Sequence, residues 1–290
     1  MNINFKSIAI LGCPRYSSSF LTHVILYNWL LKRGYQVFIE RSIVKYLSIK
    51  NVHIATHQQI GERCDLAIVI GGDGNMLYIS RILSYYSIKI IGINRGNLGF
   101  LTDLNHDNML LILSDILSGK FYIENRFLLE LRILNNQINQ NSLALNEVVV
   151  HPVYSSNTVE FSVYINKRFA LYQRSDGLII STPTGSTGYS LSAGGPILSS
   201  DVDGMMILSM FPHTLSSRPI IVNSNSLIML KVFNIGKTNV SCDGNIIFSI
   251  DNKTKIFIYK SKYYIRFIHH IKYSYLNVLH SKLHWAKNLF

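Results

Sequence analysis

Residues 1–120 predict an α/β domain with a parallel sheet, residues 121–268 a β-rich domain of β-sandwich-like character, and residues 269–290 a C-terminal segment returning to the first domain. Three observations carry this division. In the first part, short branched runs alternate with stretches of helical spacing, the mark of strand–helix–strand units on a parallel sheet. From Phe121 the helical spacing ceases and strand-like runs succeed one another across turns such as Asn135-Asn136 and Asn166-Lys167. From Tyr273 to Phe290 a helical spacing resumes.

Taken in order, Ser7 to Leu11 is a strand: a brief apolar patch behind Lys6, too short for the core of a signal peptide. Ser17 to Lys32 is a helix, with serines at its start, Leu21, Ile25 and Trp29 at four-residue spacing as its apolar stripe, and Gly34 just past its end. Gln36 to Glu40, Leu66 to Ile70 and Lys89 to Ile93 are short strands; Met76 to Leu83 and Asp107 to Leu117 are helices, the second closed by Gly119. In the β-rich part, Phe127 to Leu134, Glu147 to Val150, Thr158 to Ile165, Phe169 to Gln173, Leu178 to Ser181, Ser226 to Phe233 and Ile256 to Tyr259 read as strands.

With 48% hydrophobic and 15% charged residues over 290 positions, the chain has material for two cores and little in common with a disordered one. No apolar run reaches the roughly 20 residues that a membrane-spanning helix needs. Cys13, Cys64 and Cys242 are odd in number and far apart, without a paired or metal-binding spacing, which fits a reducing cytoplasm. The net charge of +12 is compatible with an anionic partner, and basic and aromatic residues interleave between Lys253 and Lys287. No nucleic-acid-binding signature accompanies them, so charge here speaks to non-specific association and not to a site.

Three segments carry chemistry. The strand Leu66 to Ile70 runs into Gly71-Gly72-Asp73-Gly74-Asn75, where glycines admit a ligand close to bare backbone and Asp73 stands at the carboxyl end of a strand, the edge at which open α/β sheets bind ligands. Inward-facing amides suit phosphate; the competing reading is a tight strand-to-helix turn chosen for geometry alone. A second segment runs from Thr182 through Pro196, after Arg174-Ser175-Asp176-Gly177 and an apolar strand. So many small residues are not expected to fill a core; they let amides and short hydroxyl donors surround a ribose, amide or phosphate, the alternative being a long surface loop. A third element, Asn146-Glu147, opens a strand, and an amide beside a carboxylate can grip a diol or an amino heterocycle; alone it is an ordinary solvated turn.

Taken together and in this order, Gly71 to Asn75, Asn94-Arg95-Gly96-Asn97-Leu98-Gly99-Phe100-Leu101, Asn146-Glu147, Thr182 to Ser190 and Phe211 to Ser216 strongly resemble the bacterial NAD kinases over nearly the whole chain. The first element alone is shared with diacylglycerol and sphingosine kinases; the others make the resemblance specific. It implies ATP-dependent phosphorylation of the 2′-hydroxyl of the adenosine ribose of NAD, with a divalent metal such as magnesium, giving NADP. It also implies a homo-oligomer, dimer or tetramer. By resemblance Asp73 is the proton acceptor and Gly74 a backbone contact to the ligand. Asn146 and Glu147 hold NAD, Arg174 and Asp176 contact it further, and Thr187, Gly188, Tyr189, Ser190, Leu191 and Ser192 close over the nicotinamide side. Phe100 packs near the adenine, and Asn157 and Asn245 fall where relatives touch the ligand. Many relatives carry Ala where this chain has Gly188. No residue is assigned as a metal ligand.

A carboxylate is a far weaker base than a ribose alkoxide, so Asp73 takes the proton late, orients the hydroxyl or helps to hold the metal. Phosphoryl transfer depends on positioning and charge neutralisation, and with no Walker lysine loop the triphosphate is left to amides, metal and basic side chains, Arg95 being a positional guess. A lipid kinase, a nucleic-acid-binding module and a nucleotide sensor without turnover are the rival readings.

Overall fold

The computed structural model describes residues 5–12, 20–47, 49, 51–96, 99–135, 139–154, 157–233 and 238–284. The chain forms two compact units, residues 1–125 with 264–290 and residues 126–263. The sequence places the change of character at Phe121; the units divide a few residues later, inside strands that begin in one unit and end in the other.

The first unit contains β1 (Ser7–Leu11), α1 (Phe20–Lys32), β2 (Gln36–Glu40), α2 (Arg41–Val44), β3 (His53–Ala55), α3 (His57–Arg63), β4 (Leu66–Ile70), α4 (Asp73–Leu83), β5 (Lys89–Asn94), β6 (Leu104–Asn105) and α5 (Met109–Leu117). β1, β2, β3, β4 and β5 form a parallel sheet in the order β3-β2-β1-β4-β5. The order reverses between β1 and β4, the position at which doubly wound sheets open a crevice beyond the strand ends. Every residue of β1 and β4 is buried, as expected of strands covered on both faces, and Ile8, Ile10, Leu66, Ile68 and Ile70 join Leu26 and Leu30 of α1 and Leu113 and Ile116 of α5 in one core. Phe121–Leu134 is β7; its first residues belong to this unit.

In the second unit follow β8 (Asn139–Ala144), β9 (Glu147–Pro152), β10 (Val159–Ile165), β11 (Arg168–Ser175), β12 (Gly177–Ser181), α6 (Tyr189–Ser192), β13 (Gly204–Met210), β14 (Ile220–Asn223), β15 (Ile228–Val232), β16 (Thr238–Cys242) and β17 (Ile246–Ile250). Strand β18 (Lys255–His270) starts here and ends in the first unit, where Arg266 and Phe267 pair in parallel with β5. Helix α7 (Tyr275–Leu283) closes the described chain, and the rest of the expected terminal helix, residues 285–290, lies outside the described residues.

Six antiparallel strands in the order β14-β13-β12-β9-β16-β17 make one sheet of the second unit. Phe161 and Val163 of β10 and Leu230 of β15 share a core with Val148 and Val150 of β9, Ile180 of β12 and Val240 of β16, which is the packing of a β-sandwich. The opposite face of the six-stranded sheet is buried too, by Val149, Ile179, Leu198, Met206 and Leu208. Burial on both faces explains why β9 and β12 read as unbroken apolar runs. Asn166 and Lys167, both at positive φ, make the two-residue turn between β10 and β11.

Two expectations change. In α1 the stripe Leu21, Ile25 and Trp29 is not the buried one: Leu21 is 63% and Ile25 40% exposed, while Leu26, Tyr27 and Leu30 are buried. The helix is apolar nearly all round, so four-residue spacing alone does not select a face. Its expected start, Ser17 to Ser19, lies outside the described residues. The second helix begins at Asp73 and not at Met76, placing the aspartate in the first helical turn.

Candidate functional site

Within the first unit, Gly71 leaves β4 at φ +153°, and its amide donates to Ile93 of β5 at 2.9 Å. A side chain at Gly71 would meet Asn75 Nδ2 at 2.1 Å, so the glycine is needed for this approach. Gly72 caps α4 without a side-chain bond. The amides of Asp73 and Gly74 therefore open a helix whose first turn has no partners four residues earlier, a place that favours negative charge. Around Gly74 the space is open.

The Asp73 carboxylate is held by the loop after β5. Its Oδ2 accepts the amide of Phe100 at 2.8 Å and its Oδ1 that of Leu101 at 3.1 Å. Thr102 Oγ1 accepts the amide of Gly99 at 3.0 Å and Asn94 Nδ2 at 3.1 Å, fixing the loop from below. A Cβ at Gly99 would lie 1.8 Å from Asp73 Oδ1, so only glycine permits this closure. Each carboxylate oxygen keeps acceptor capacity beyond its single amide. The Phe100 ring is half-buried with Lys282 Nζ 5.7 Å from its centroid, and Arg95 donates to Thr22 of α1 at 2.8 Å. Asn97 and Leu98 lie outside the described residues.

In the second unit, Asn146 and Glu147 stand where β9 begins. Asp243, in the turn between β16 and β17, sets their backbone: it accepts the amides of Leu145, Asn146 and Glu147 at 2.9, 2.8 and 3.2 Å. The segment after β12 braces them from the other side. Thr182 donates its hydroxyl to Leu145 O at 2.6 Å, while its amide donates to Asn146 O at 2.8 Å. A Cβ at Gly185 would fall 2.2 Å from Asn146 O.

The hydroxyl-rich segment is thus an ordered scaffold. It forms a 3-10 turn over Thr184–Thr187 followed by α6. Contrary to expectation its small residues do fill a core: Thr182, Ser186 and Ser190 are fully buried, and Ser186 and Ser190 donate to Pro183 O at 2.6 Å and Gly185 O at 2.7 Å. Those hydroxyls are spent internally. Of Thr187 to Ser192, Tyr189 and Ser192 are exposed, while Thr187, which donates to Thr184 O, Gly188 and Leu191 are half-buried.

Glu147 is only 6% exposed. Burial first, and then the charge of Asp243, push its carboxyl up to about 8, against the pull of a hydrogen bond from the Tyr189 amide. Its Oε2 and Asn146 Oδ1 are buried acceptors without a hydrogen-bond partner among the described residues. Such atoms are costly unless a ligand supplies donors. Glu147 lines a cavity of ≈ 590 Å³ together with Asp176, Tyr189, His151, Phe211 and Asp243. Of the expected ligand contacts, Glu147, Asp176 and Tyr189 converge on this cavity. Arg174 does not line it: its Nε donates to Thr158 at 2.8 Å on an exposed face of β11. Asn157 is exposed, and the Asn245 side chain donates to Asp243 O at 3.1 Å.

Asp243 escaped the sequence reading because Asp243-Gly244 looks like any hairpin turn. Only the fold reveals it, as a non-glycine residue at φ +49° whose carboxylate spans to residues 145–147. Among the described residues no three His, Cys, Asp or Glu side chains are grouped to hold a metal ion.

Comparison with known proteins bears on both units. The family described as ATP-NAD kinase N-terminal domain matches residues 8–121, and that described as ATP-NAD kinase C-terminal domain matches residues 145–270. The chain is 55% identical over 288 residues to the NAD kinase of Buchnera aphidicola subsp. Schizaphis graminum, covering 99% of each, and 50% identical over 292 residues to that of Serratia proteamaculans, covering 100% of each. Among solved structures, yeast NADH kinase complexed with NADH superposes with a TM-score of 0.90 at 21% identity, covering 100% of this chain and 90% of that one. The NAD kinase of Archaeoglobus fulgidus in complex with ATP gives 0.76 at 21% identity, covering 95% and 98%. The loop that holds Asp73 and the scaffold that presents Asn146 and Glu147 lie within those matches or at their edge, and the chain belongs to the ATP-NAD kinase family.

Proposed function

We propose that this chain transfers the γ-phosphoryl group of ATP to the 2′-hydroxyl of the adenosine ribose of NAD, giving NADP. Family membership and the names of its relatives support the reaction. The observation that carries the assignment to residues is the pair of buried acceptors on successive residues, Asn146 Oδ1 and Glu147 Oε2, which lack partners among the described residues, Glu147 lining the cavity. A ribose presents two adjacent hydroxyl donors, and two acceptors on successive residues complement them. Asp176 and Tyr189 provide further polar contacts on the cavity wall.

Asp73 serves the chemistry. Two amides fix its carboxylate in place, and an oxygen with spare acceptor capacity receives the hydroxyl proton as the O–P bond forms. The open amides at the start of α4 favour the phosphate charge beside it. A divalent metal such as magnesium, bound with ATP mainly by phosphates and water, would neutralise charge on the transferred group. We read the enzyme as cytoplasmic and homo-oligomeric. The exposed Phe211 and Leu215, and Ile220 and Ile221 on edge strand β14, support association.

Purified chain incubated with NAD, ATP and Mg²⁺ tests the reading, with the product resolved as the 2′- or 3′-phosphate. Formation of the 2′-phosphate is expected. A folded protein that binds NAD and makes no NADP with ATP or polyphosphate would contradict it.

A further inference from the structure

His269 is the penultimate residue of β18, buried, with each ring nitrogen on a different carboxylate of the first unit. Nδ1 is bonded to Asp103, and Nε2 lies 2.8 Å from Glu124 of β7. The rings of Tyr273, stacked at 4.2 Å, and Tyr122, at 5.3 Å, enclose it. A neutral imidazole has one N–H and can donate to only one carboxylate; an imidazolium donates to both. Burial opposes the charge, yet the bonds to Asp103 and Glu124 outweigh it and raise the ring to about 9, so the bridge is charged at neutral pH.

The position of Asp103 gives this cluster a consequence. Residues 99–103 are one short loop: Phe100 and Leu101 hold the Asp73 carboxylate, Thr102 ties Gly99 to Asn94, and Asp103 is the next residue, gripped by His269. One residue further on, β6 pairs with β5. The amides that aim Asp73 are therefore pinned on the far side by a bond to His269.

We propose that His269 is a positioning residue for phosphoryl transfer, acting through Asp103 on the loop whose amides orient Asp73. The inference rests on the reading of Asp73 as proton acceptor, and it makes the Asp103 bond, and not the Glu124 bond, the one that matters to turnover.

Asparagine places its amide near the position of Nδ1, glutamine near that of Nε2, so the two variants separate the two bonds. Full-length wild type, His269→Asn and His269→Gln are assayed for NADP formation well below their own melting temperatures. For His269→Gln, kcat falls about 10- to 100-fold while KM for NAD and for ATP changes less than about threefold, because misplacement of a reacting group costs turnover more than binding. His269→Asn retains kcat within about fivefold of wild type, although its melting temperature falls comparably. Equal kcat in the two variants, or a loss confined to KM, would overturn the proposal. Should neither fold, Asp103→Asn and Glu124→Gln decide: the first is expected to lose kcat and the second to keep it, and equal losses would overturn the proposal. Wild type making no NADP would instead fail the functional reading itself.

Discussion

Asp73 and Glu147 are both carboxylates at strand edges, and the two units treat them in opposite ways. Asp73 receives an amide on each oxygen and stands half-buried at a helix start. Glu147 is nearly wholly buried, receives one amide, faces a second carboxylate and keeps an orphan oxygen. The first arrangement is preorganised before any ligand arrives, which is what a group acting in a transition state requires. The second is unsatisfied until donors arrive, which is what a group selecting a diol requires. On the proposed reading chemistry falls to Asp73 and recognition to Glu147, and substitutions can separate them.

The largest effect falls on the preorganised side. Asp73→Asn should lower kcat about 10²- to 10⁴-fold, the range for a lost acid-base group, since it also turns an NH₂ donor toward one of the two loop amides. Gly99→Ala should approach the same loss without touching the carboxylate, because the added methyl would lie 1.8 Å from Asp73 Oδ1 and must displace it. Wild-type turnover in that alanine variant would show that the loop does not aim Asp73.

On the recognition side, Glu147→Gln should weaken NAD binding about 10- to 100-fold, the worth of hydrogen bonds to a charged acceptor. Ribose hydroxyls favour the ionised form, so wild-type affinity for NAD should rise with pH toward about 8 and then level, with proton release on binding. Calorimetry in buffers of different ionisation enthalpy measures this directly, and the glutamine variant should show a flat profile. Stability carries the opposite sign. A carboxyl raised from 4.5 to about 8 in the folded chain binds its proton more tightly there than when unfolded, so stability falls as pH rises through that window. Above pH 8, Glu147→Gln should melt higher than wild type; a lower melting temperature there would contradict the buried, unpaired carboxylate.

The smallest effect is expected at Gly188. A Cβ there would lie 3.2 Å from Asn146 Nδ2 and 3.3 Å from Glu147 Oε2, a tight fit that a small shift relieves. Gly188→Ala should change KM for NAD by no more than about threefold.

The parallel sheet was legible because β1 and β4 are pure apolar runs set between helical spacings, and Asp73, Asn146 and Glu147 were legible through their ordered motifs. Two kinds of information were not. The face of α1 was hidden because most positions are apolar, and β13 and β16 were passed over because contrast with their neighbours is weak where both sheet faces are buried. The supports of the site were hidden because they act across long sequence separations: Asp243 on residues 145–147, and His269 on Asp103. The serines and threonines of 182–190 misled in the other direction, since a hydroxyl offered to a ligand and one spent on a neighbouring carbonyl have the same spelling.

The division between chemistry and recognition is tested most directly by measuring the NAD dissociation constant and single-turnover NADP formation side by side in Asp73→Asn and Glu147→Gln. The account predicts that Asp73→Asn binds NAD within about threefold of wild type while losing at least about 10² in rate, and that Glu147→Gln loses affinity first and recovers much of its rate at saturating NAD. Both variants losing affinity and rate in the same proportion would contradict it.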